Sequence, residues 1–173
     1  LKLYEQSMAL ARSLGDRCGE AHSLSGLGNV QNTQGNYSAA QALLQQALSI
    51  MCELGDRHGE ANSLYNLGSV EYALGNYEAA RVLYEQALHL MRELQDSRGQ
   101  AHALRSLARV EHIQSNYGAA RELYRQALTI QSEIGERSGE ATSCHDLANV
   151  EYCENNYIAA LERYTKALKV FCE

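Results

Sequence analysis

Arg105 and Arg109 stand four residues apart. On a helix that is one turn, and two guanidinium groups so placed can grip a carboxylate or a phosphate through paired hydrogen bonds. Cys144, His145 and Asp146 combine nucleophile, base and carboxylate types. Consecutive helical residues splay about 100° apart, however, so the three cannot form a relay. His102 and His112 lie too far apart along one helix to chelate a single metal ion. No HExxH, phosphate-cradling glycine loop or ordered Ser, His and Asp set occurs. The cysteines (Cys18, Cys52, Cys144, Cys153, Cys172) form no CxxC pair, which argues against a metal cage or a disulfide framework. No enzymatic activity, metal or cofactor is expected. The remaining polar chemistry suits recognition. Asparagine offers a donor and an acceptor to a peptide backbone, and tyrosine gives contact area at little entropic cost.

The elements that position these residues are set by a repeat. Ala21, Ala61, Ala101 and Ala141 are in register, as are Leu27, Leu67, Leu107 and Leu147, and Val30, Val70, Val110 and Val150. The Asn-Tyr pairs beginning at Asn36, Asn76, Asn116 and Asn156 follow the same 40-residue spacing. A fixed period of this size signals a stacked array. The units are 15–54, 55–94, 95–134 and 135–173, preceded by a partial unit, 1–14, that holds a second helix alone. Together they read as one array over 1–173.

Within 55–94, Ala61, Leu64, Leu67, Gly68 and Val70 form one apolar stripe, and Tyr77, Ala80, Leu83, Tyr84, Ala87, Leu88 and Met91 form a second. Gly75 and Gly55 suit the left-handed position after a helix. Asn76 and Asp56 follow as candidate N-caps. The chain lacks proline and strand signals, so each unit is a helix–turn–helix and the fold is all-α. Small residues at Gly28, Gly68, Ala108 and Ala148 predict close approach of the two helices, with Tyr84, Tyr124 and Tyr164 filling the space. Cys144, in register with Leu24, Leu64 and Leu104, reads as a small buried hydrophobe. Gln95 and Ser115 stand where glycine is expected, at a cost of up to about 1–2 kcal/mol each if the left-handed turn is kept. Asn155 is milder. The Gln95 junction is expected to be the least regular turn.

Where the repeats disagree on one face of the first helix, contact residues are expected. That face carries His22, Ser25, Gly26, Asn29 and Asn32 in the first full unit and Asn62, Tyr65, Asn66, Ser69 and Tyr72 in the second. It carries His102, Arg105, Ser106, Arg109 and His112 in the third, and Thr142, His145, Asp146, Asn149 and Tyr152 in the fourth. Glu71, Glu111 and Glu151 recur, which favours a structural task such as pairing with Arg81 or Arg121 over a functional acidic ladder.

The pattern Leu64-x2-Leu67-Gly68 … Ala80-x3-Tyr84-x2-Ala87 resembles the tetratricopeptide repeat. The period of 40 exceeds the family norm of about 34. The connector Leu54–Ala61 is similar to the long-repeat subclass of Pins-type adaptors and of NLR/STAND-protein sensor arrays, and more distantly to kinesin light chains. The resemblance implies a right-handed α-solenoid superhelix of stacked helix–turn–helix repeats. It also implies that the variable face lines a concave groove for a peptide or partner helix. The family's carboxylate clamp needs lysines at the positions of Ser25 and His102, so binding of chaperone tails by that clamp is not expected.

The expected function is therefore a protein–protein interaction scaffold, of the kind that serves as the sensor part of a larger signalling protein, with an acidic ligand favoured by Arg105 and Arg109. The alternative is an architectural spacer or self-association module. A net charge of −6 opposes nucleic-acid binding. No apolar run is long enough to span a bilayer. Reduced thiols suggest a cytoplasmic setting. The chain reads as a piece of a longer array, and end-to-end packing through uncapped repeats is expected.

Overall fold

The computed structural model of the protein describes residues 2–172. Among them are nine helices and no strand. They are α1 (Lys2–Leu14), α2 (Arg17–Thr33), α3 (Tyr37–Leu54), α4 (Arg57–Ala73), α5 (Tyr77–Glu93), α6 (Ser97–Ile113), α7 (Tyr117–Glu133), α8 (Arg137–Cys153) and α9 (Tyr157–Cys172). The fold is all-α and built of helix–turn–helix repeats, as the period requires. Contacts group the chain into two compact units, Leu1–Leu90 and Met91–Glu173. In the first, α1 packs on α2, α2 on α3 and α3 on α4, and α2 also meets α4. In the second, α6 packs on α7, α7 on α8 and α8 on α9.

One turn is used throughout. After α3, Gly55 adopts φ +68°, its N–H bonds Cys52 O at 3.1 Å, and the Asp56 N–H bonds Met51 O at 3.0 Å. This pair of bonds satisfies the last carbonyls of the helix. The same pair closes α2, where Gly35 N bonds Asn32 O and Asn36 N bonds Gln31 O. Gln95, Ser115 and Asn155 keep the left-handed conformation, with φ of 55°, 63° and 64°. The Gln95 junction is not irregular: Gln95 N bonds Arg92 O at 3.1 Å and Asp96 N bonds Met91 O at 2.9 Å, matching the glycine turn. The backbone accepts the strain because the flanking helices fix both ends of the turn.

The residue after each turn does one of two jobs, except Glu136, which makes no side-chain cap bond. Asp16, Asp56 and Asp96 cap the next helix by accepting from the N–H of Gly19, Gly59 and Gly99 at 2.9 Å. Asparagine was expected to do likewise, but Asn36 and Asn116 make no side-chain cap bond. Their side chains turn back instead. Nδ2 of Asn36, Asn76, Asn116 and Asn156 donates to Gln31, Glu71, Glu111 and Glu151 at 2.7, 2.8, 2.9 and 3.2 Å. The recurring glutamates thus brace the turn between the two helices of a repeat.

They also tie neighbouring repeats together. Gln41 of the preceding repeat donates to Glu71 at 2.8 Å, and Arg121 of the preceding repeat lies 3.4 Å from Glu151. Arg163 approaches Glu151 from its own repeat at 3.8 Å. Arg81 pairs instead with Glu78 on its own helix at 2.6 Å. At the start of the chain, Arg12 and Arg17 reach Glu20 at 2.7 and 3.0 Å, and Arg17 also reaches Glu53 at 2.9 Å. The Arg12 hydrogen bond leads in holding the Glu20 carboxyl below the usual carboxylate range.

The helix pairs close over small residues. A Cβ on Gly28 would lie 2.7 Å from Leu44 Cγ, and one on Gly68 would lie 2.8 Å from Tyr84 Cε1. Tyr124 is fully buried with Ala108, Ala120, Leu147 and Val150. Cys144 is buried at 0% exposure, and burial pushes its thiol pKa up. Cys18, Cys52 and Cys153 are exposed free thiols, while the Cys172 side chain lies outside the described side chains.

Candidate functional site

All the variable-face residues lie on the first helix of their repeats, and all but the buried Ser106 are at exposed or half-buried positions. Asn29, on α2, and Asn62, on α4, are exposed, and Tyr65, Asn66, Ser69 and Tyr72 of α4 are half-buried. On α6, His102, Arg105 and His112 are half-buried and Arg109 is exposed; on α8, His145 and Tyr152 are exposed and Asn149 is half-buried.

The second helix of each repeat fixes many of these side chains. Tyr65 packs its ring 5.4 Å from Tyr84, whose hydroxyl donates to Ser69 Oγ at 3.3 Å. Ser69 Oγ in turn donates to the Tyr65 carbonyl at 3.1 Å. The fourth repeat builds the same device from other residues. His145 lies 5.4 Å from the Tyr164 ring, and the Tyr164 hydroxyl donates to Asn149 Oδ1 at 2.6 Å. Nδ2 of Asn149 lies 3.4 Å from His145 Nδ1. At the far end of the first helix a second pairing recurs. Tyr72 meets Tyr77 at 5.6 Å, His112 meets Tyr117 at 5.8 Å and Tyr152 meets Tyr157 at 5.3 Å, with the rings tilted or edge to face. Such aromatic pairs contribute about 0.5–1.5 kcal/mol beyond area burial.

Sequence reasoning missed Tyr77, Tyr84, Tyr117, Tyr157 and Tyr164 as neighbours of this face. The signal was present as a constant five-residue step from Tyr72, His112 and Tyr152 to the tyrosine opening the next helix. That step crosses a turn, so helical periodicity does not expose it.

The electrostatics differ from residue to residue. His102 Nε2 lies 3.6 Å from Glu136 Oε1, which Arg98 also approaches at 3.7 Å. Burial lowers the His102 pKa, Glu136 opposes that shift, and Arg105 and Arg98 reinforce it. His102 is therefore a neutral group near pH 7. His112 Nε2 lies 3.6 Å from Cys153 Sγ of the following repeat. Among the described residues, the side-chain amides of Asn29, Asn62 and Asn66 have no hydrogen-bond partner, and Arg105 has neither a hydrogen bond nor an ion pair. A half-buried amide and a half-buried cation without partners retain full capacity for a ligand.

The family model for the tetratricopeptide repeat matches residues 1–53, 52–93 and 99–173. The chain belongs to the tetratricopeptide-repeat family. No curated protein sequence matches it. Tetratricopeptide-repeat solenoids of known structure superpose on almost all of it. BtubC (BKLC) from P. vanneervenii matches with a TM-score of 0.85 at 19% identity, covering 99% of this chain and 71% of that one. A Rap protein complexed with Competence and Sporulation Factor matches with a TM-score of 0.88 at 17% identity, covering 96% and 47%. A STAND protein with a tetratricopeptide repeat sensor from Pyrococcus horikoshii matches with a TM-score of 0.83 at 21% identity, covering 98% and 27%. The chain thus spans less than half the length of the Rap and STAND proteins. Among the described residues, no helix is long and apolar enough to cross a membrane.

Proposed function

We propose that this tetratricopeptide-repeat chain is a protein-interaction scaffold that takes a peptide or helix of a partner protein on the variable face of its first helices. In the first unit Asn62 and Asn66 would bond the ligand backbone beside the Tyr65–Tyr84 and Tyr72–Tyr77 pairs. In the second unit Arg105 and Arg109 favour an acidic segment, with Asn149, His145 and Tyr152 supplying further contact. The observation that carries this reading is the pair of half-buried, unpartnered groups, the Asn66 amide and the Arg105 guanidinium. Folding alone gives them no task, and a polar group half out of water gains most from a new partner. The Rap protein complexed with Competence and Sporulation Factor and the STAND protein with a tetratricopeptide repeat sensor lend the reading a precedent on this fold. On this reading the chain is part of a larger cytoplasmic signalling protein. A scaffold needs no catalytic centre, in keeping with the absence of catalytic spacing in the sequence.

Selection of binders from a displayed peptide library, followed by Asn66→Ala and Arg105→Ala in fluorescence anisotropy, tests this. Loss of one hydrogen bond to a charged group weakens binding by about 10- to 150-fold. Selected peptides that bind both variants as tightly as the parent overturn the assignment.

Self-association is a second reading, favoured by exposed apolar side chains on two helices. Leu3, Leu10 and Leu14 are 80%, 61% and 72% exposed on α1, and Ile158 and Leu161 are 80% and 68% exposed on α9. Sedimentation across concentrations tests it. A monomer at all concentrations, unchanged by Ile158→Glu with Leu161→Glu, removes it.

A further inference from the structure

The first full repeat carries a pair of side chains that the other repeats lack. Cys18 and His22 stand four residues apart near the start of α2, with Sγ 3.5 Å from Nδ1. Asp56, the N-cap of α4, reaches the same place from the next repeat. One ligand atom from each of the three lies within 4.8 Å of the others.

We propose that Cys18, His22 and Asp56 form a binding site for a zinc-class divalent cation. Thiolate, imidazole and carboxylate are all ligands of that ion, and three protein ligands leave the fourth tetrahedral position to water. Bond lengths of about 2.0–2.3 Å set the donors about 3.3–3.8 Å apart. One ligand atom from each residue lies within 4.8 Å of the others, so rotation of the three exposed or half-buried side chains closes them to that range.

The outer contacts are in place. His22 Nδ1 lies 2.9 Å from the Cys18 carbonyl oxygen. A histidine held by a backbone carbonyl through one ring nitrogen presents the other as a ligand. Asp56 Oδ1 accepts from the Gly59 N–H at 2.9 Å, which orients the carboxylate and leaves lone pairs for a metal.

Asp56 also caps α4, but the scaffold has no use for Cys18 and His22. Cys18 and His22 are exposed, and their positions hold His58, Arg98 and Ser138, and Asn62, His102 and Thr142, in the other repeats. Spacing along the sequence hid the site because its third ligand comes from a neighbouring repeat. On binding, the Cys18 thiol loses its proton to solvent as the metal–sulfur bond forms, with no change of oxidation state. The ion would clip α2 to α4 inside the first unit.

The test is titration of the reduced, tag-free chain with zinc chloride in a calorimeter, repeated with cobalt(II) to read the thiolate charge-transfer band. The expected result is one equivalent bound with that band present. Cys18→Ser and His22→Gln should each weaken binding more than tenfold. Cys153→Ser, which removes the Cys153–His112 pair, should leave it unchanged. The substituted positions are exposed, and circular dichroism confirms that each variant is folded. No binding by the parent chain overturns the proposal, as does binding that survives Cys18→Ser and His22→Gln or is lost in Cys153→Ser.

Discussion

Replacing Gln131 by methionine together with Ser143 by alanine should stabilise the second unit. In the repeats before it, the position of Gln131 holds Met51 and Met91, both buried. Gln131 is itself 0% exposed and accepts from Ser143 Oγ at 2.7 Å. Its Nε2 is buried without a partner, as is Glu136 Oε2. Both atoms crowd the same spot, 2.7 and 2.9 Å from where a Cβ on Gly139 would stand. An orphaned buried donor costs about 1–3 kcal/mol, and one neutral hydrogen bond contributes about 1 kcal/mol. The double substitution removes both partners of that bond at once, so the donor penalty is relieved without creating a new orphan. It reproduces the pairing of Met91 with Ala103, which are 3% and 0% exposed. With the lost bond subtracted from the relieved penalty, the expected gain is up to about 2 kcal/mol, read as a higher denaturation midpoint in guanidinium chloride. Hydrogen exchange should place the added protection in α7 and α8. An unchanged or lowered midpoint refutes the reasoning and shows that Nε2 is satisfied by a buried water.

Three further outcomes follow from the same geometry. Gln95→Gly should raise stability by up to about 1 kcal/mol, because relief of the left-handed penalty at φ +55° exceeds the chain entropy that glycine adds to the unfolded state; a loss in urea denaturation contradicts this. Burial lowers the His102 pKa from 6.5, so in that region the unfolded chain takes up the proton first and stability falls as pH drops through the unfolded value, levelling below the folded one. His102→Gln should flatten that slope in thermal melts, and an identical slope in parent and variant refutes it. Brief alkylation of the native chain read by peptide mass spectrometry should modify Cys18 and Cys153 and spare Cys144, whose thiol is buried and raised in pKa; rapid labelling of Cys144 would contradict its burial.

Much of the fold could be read from the sequence because the period registers every element. Gln95, Ser115 and Asn155 fall in the register of Gly55, Gly35 and Gly75 and keep the left-handed turn although their own residue types argue otherwise, at Gln95 against the expected irregularity. Cys144 was placed in the core by Leu24, Leu64 and Leu104 in the same way. Contacts that cross a turn or a repeat were not legible. The bond from Asn76 to Glu71 looks in sequence like an N-cap, and the bond from Gln41 to Glu71 joins two repeats. The candidate face was legible as a set of positions but not as a set of free groups. Part of its variation matches the helix behind it: Tyr65 and Ser69 belong with Tyr84, and His145 and Asn149 with Tyr164. Asn66 and Arg105 carry no such bond, and only the three-dimensional structure separates them from their tethered neighbours.

The most direct test of the binding face is backbone amide mapping by NMR with a peptide selected against this chain. The perturbed amides should lie on the first helices, from Asn62 to Tyr72 on α4 and from His102 to His112 on α6, and Arg105→Ala should reduce the perturbations. Perturbations confined to α5, α7 or α9, and unaffected by Arg105→Ala, would contradict it.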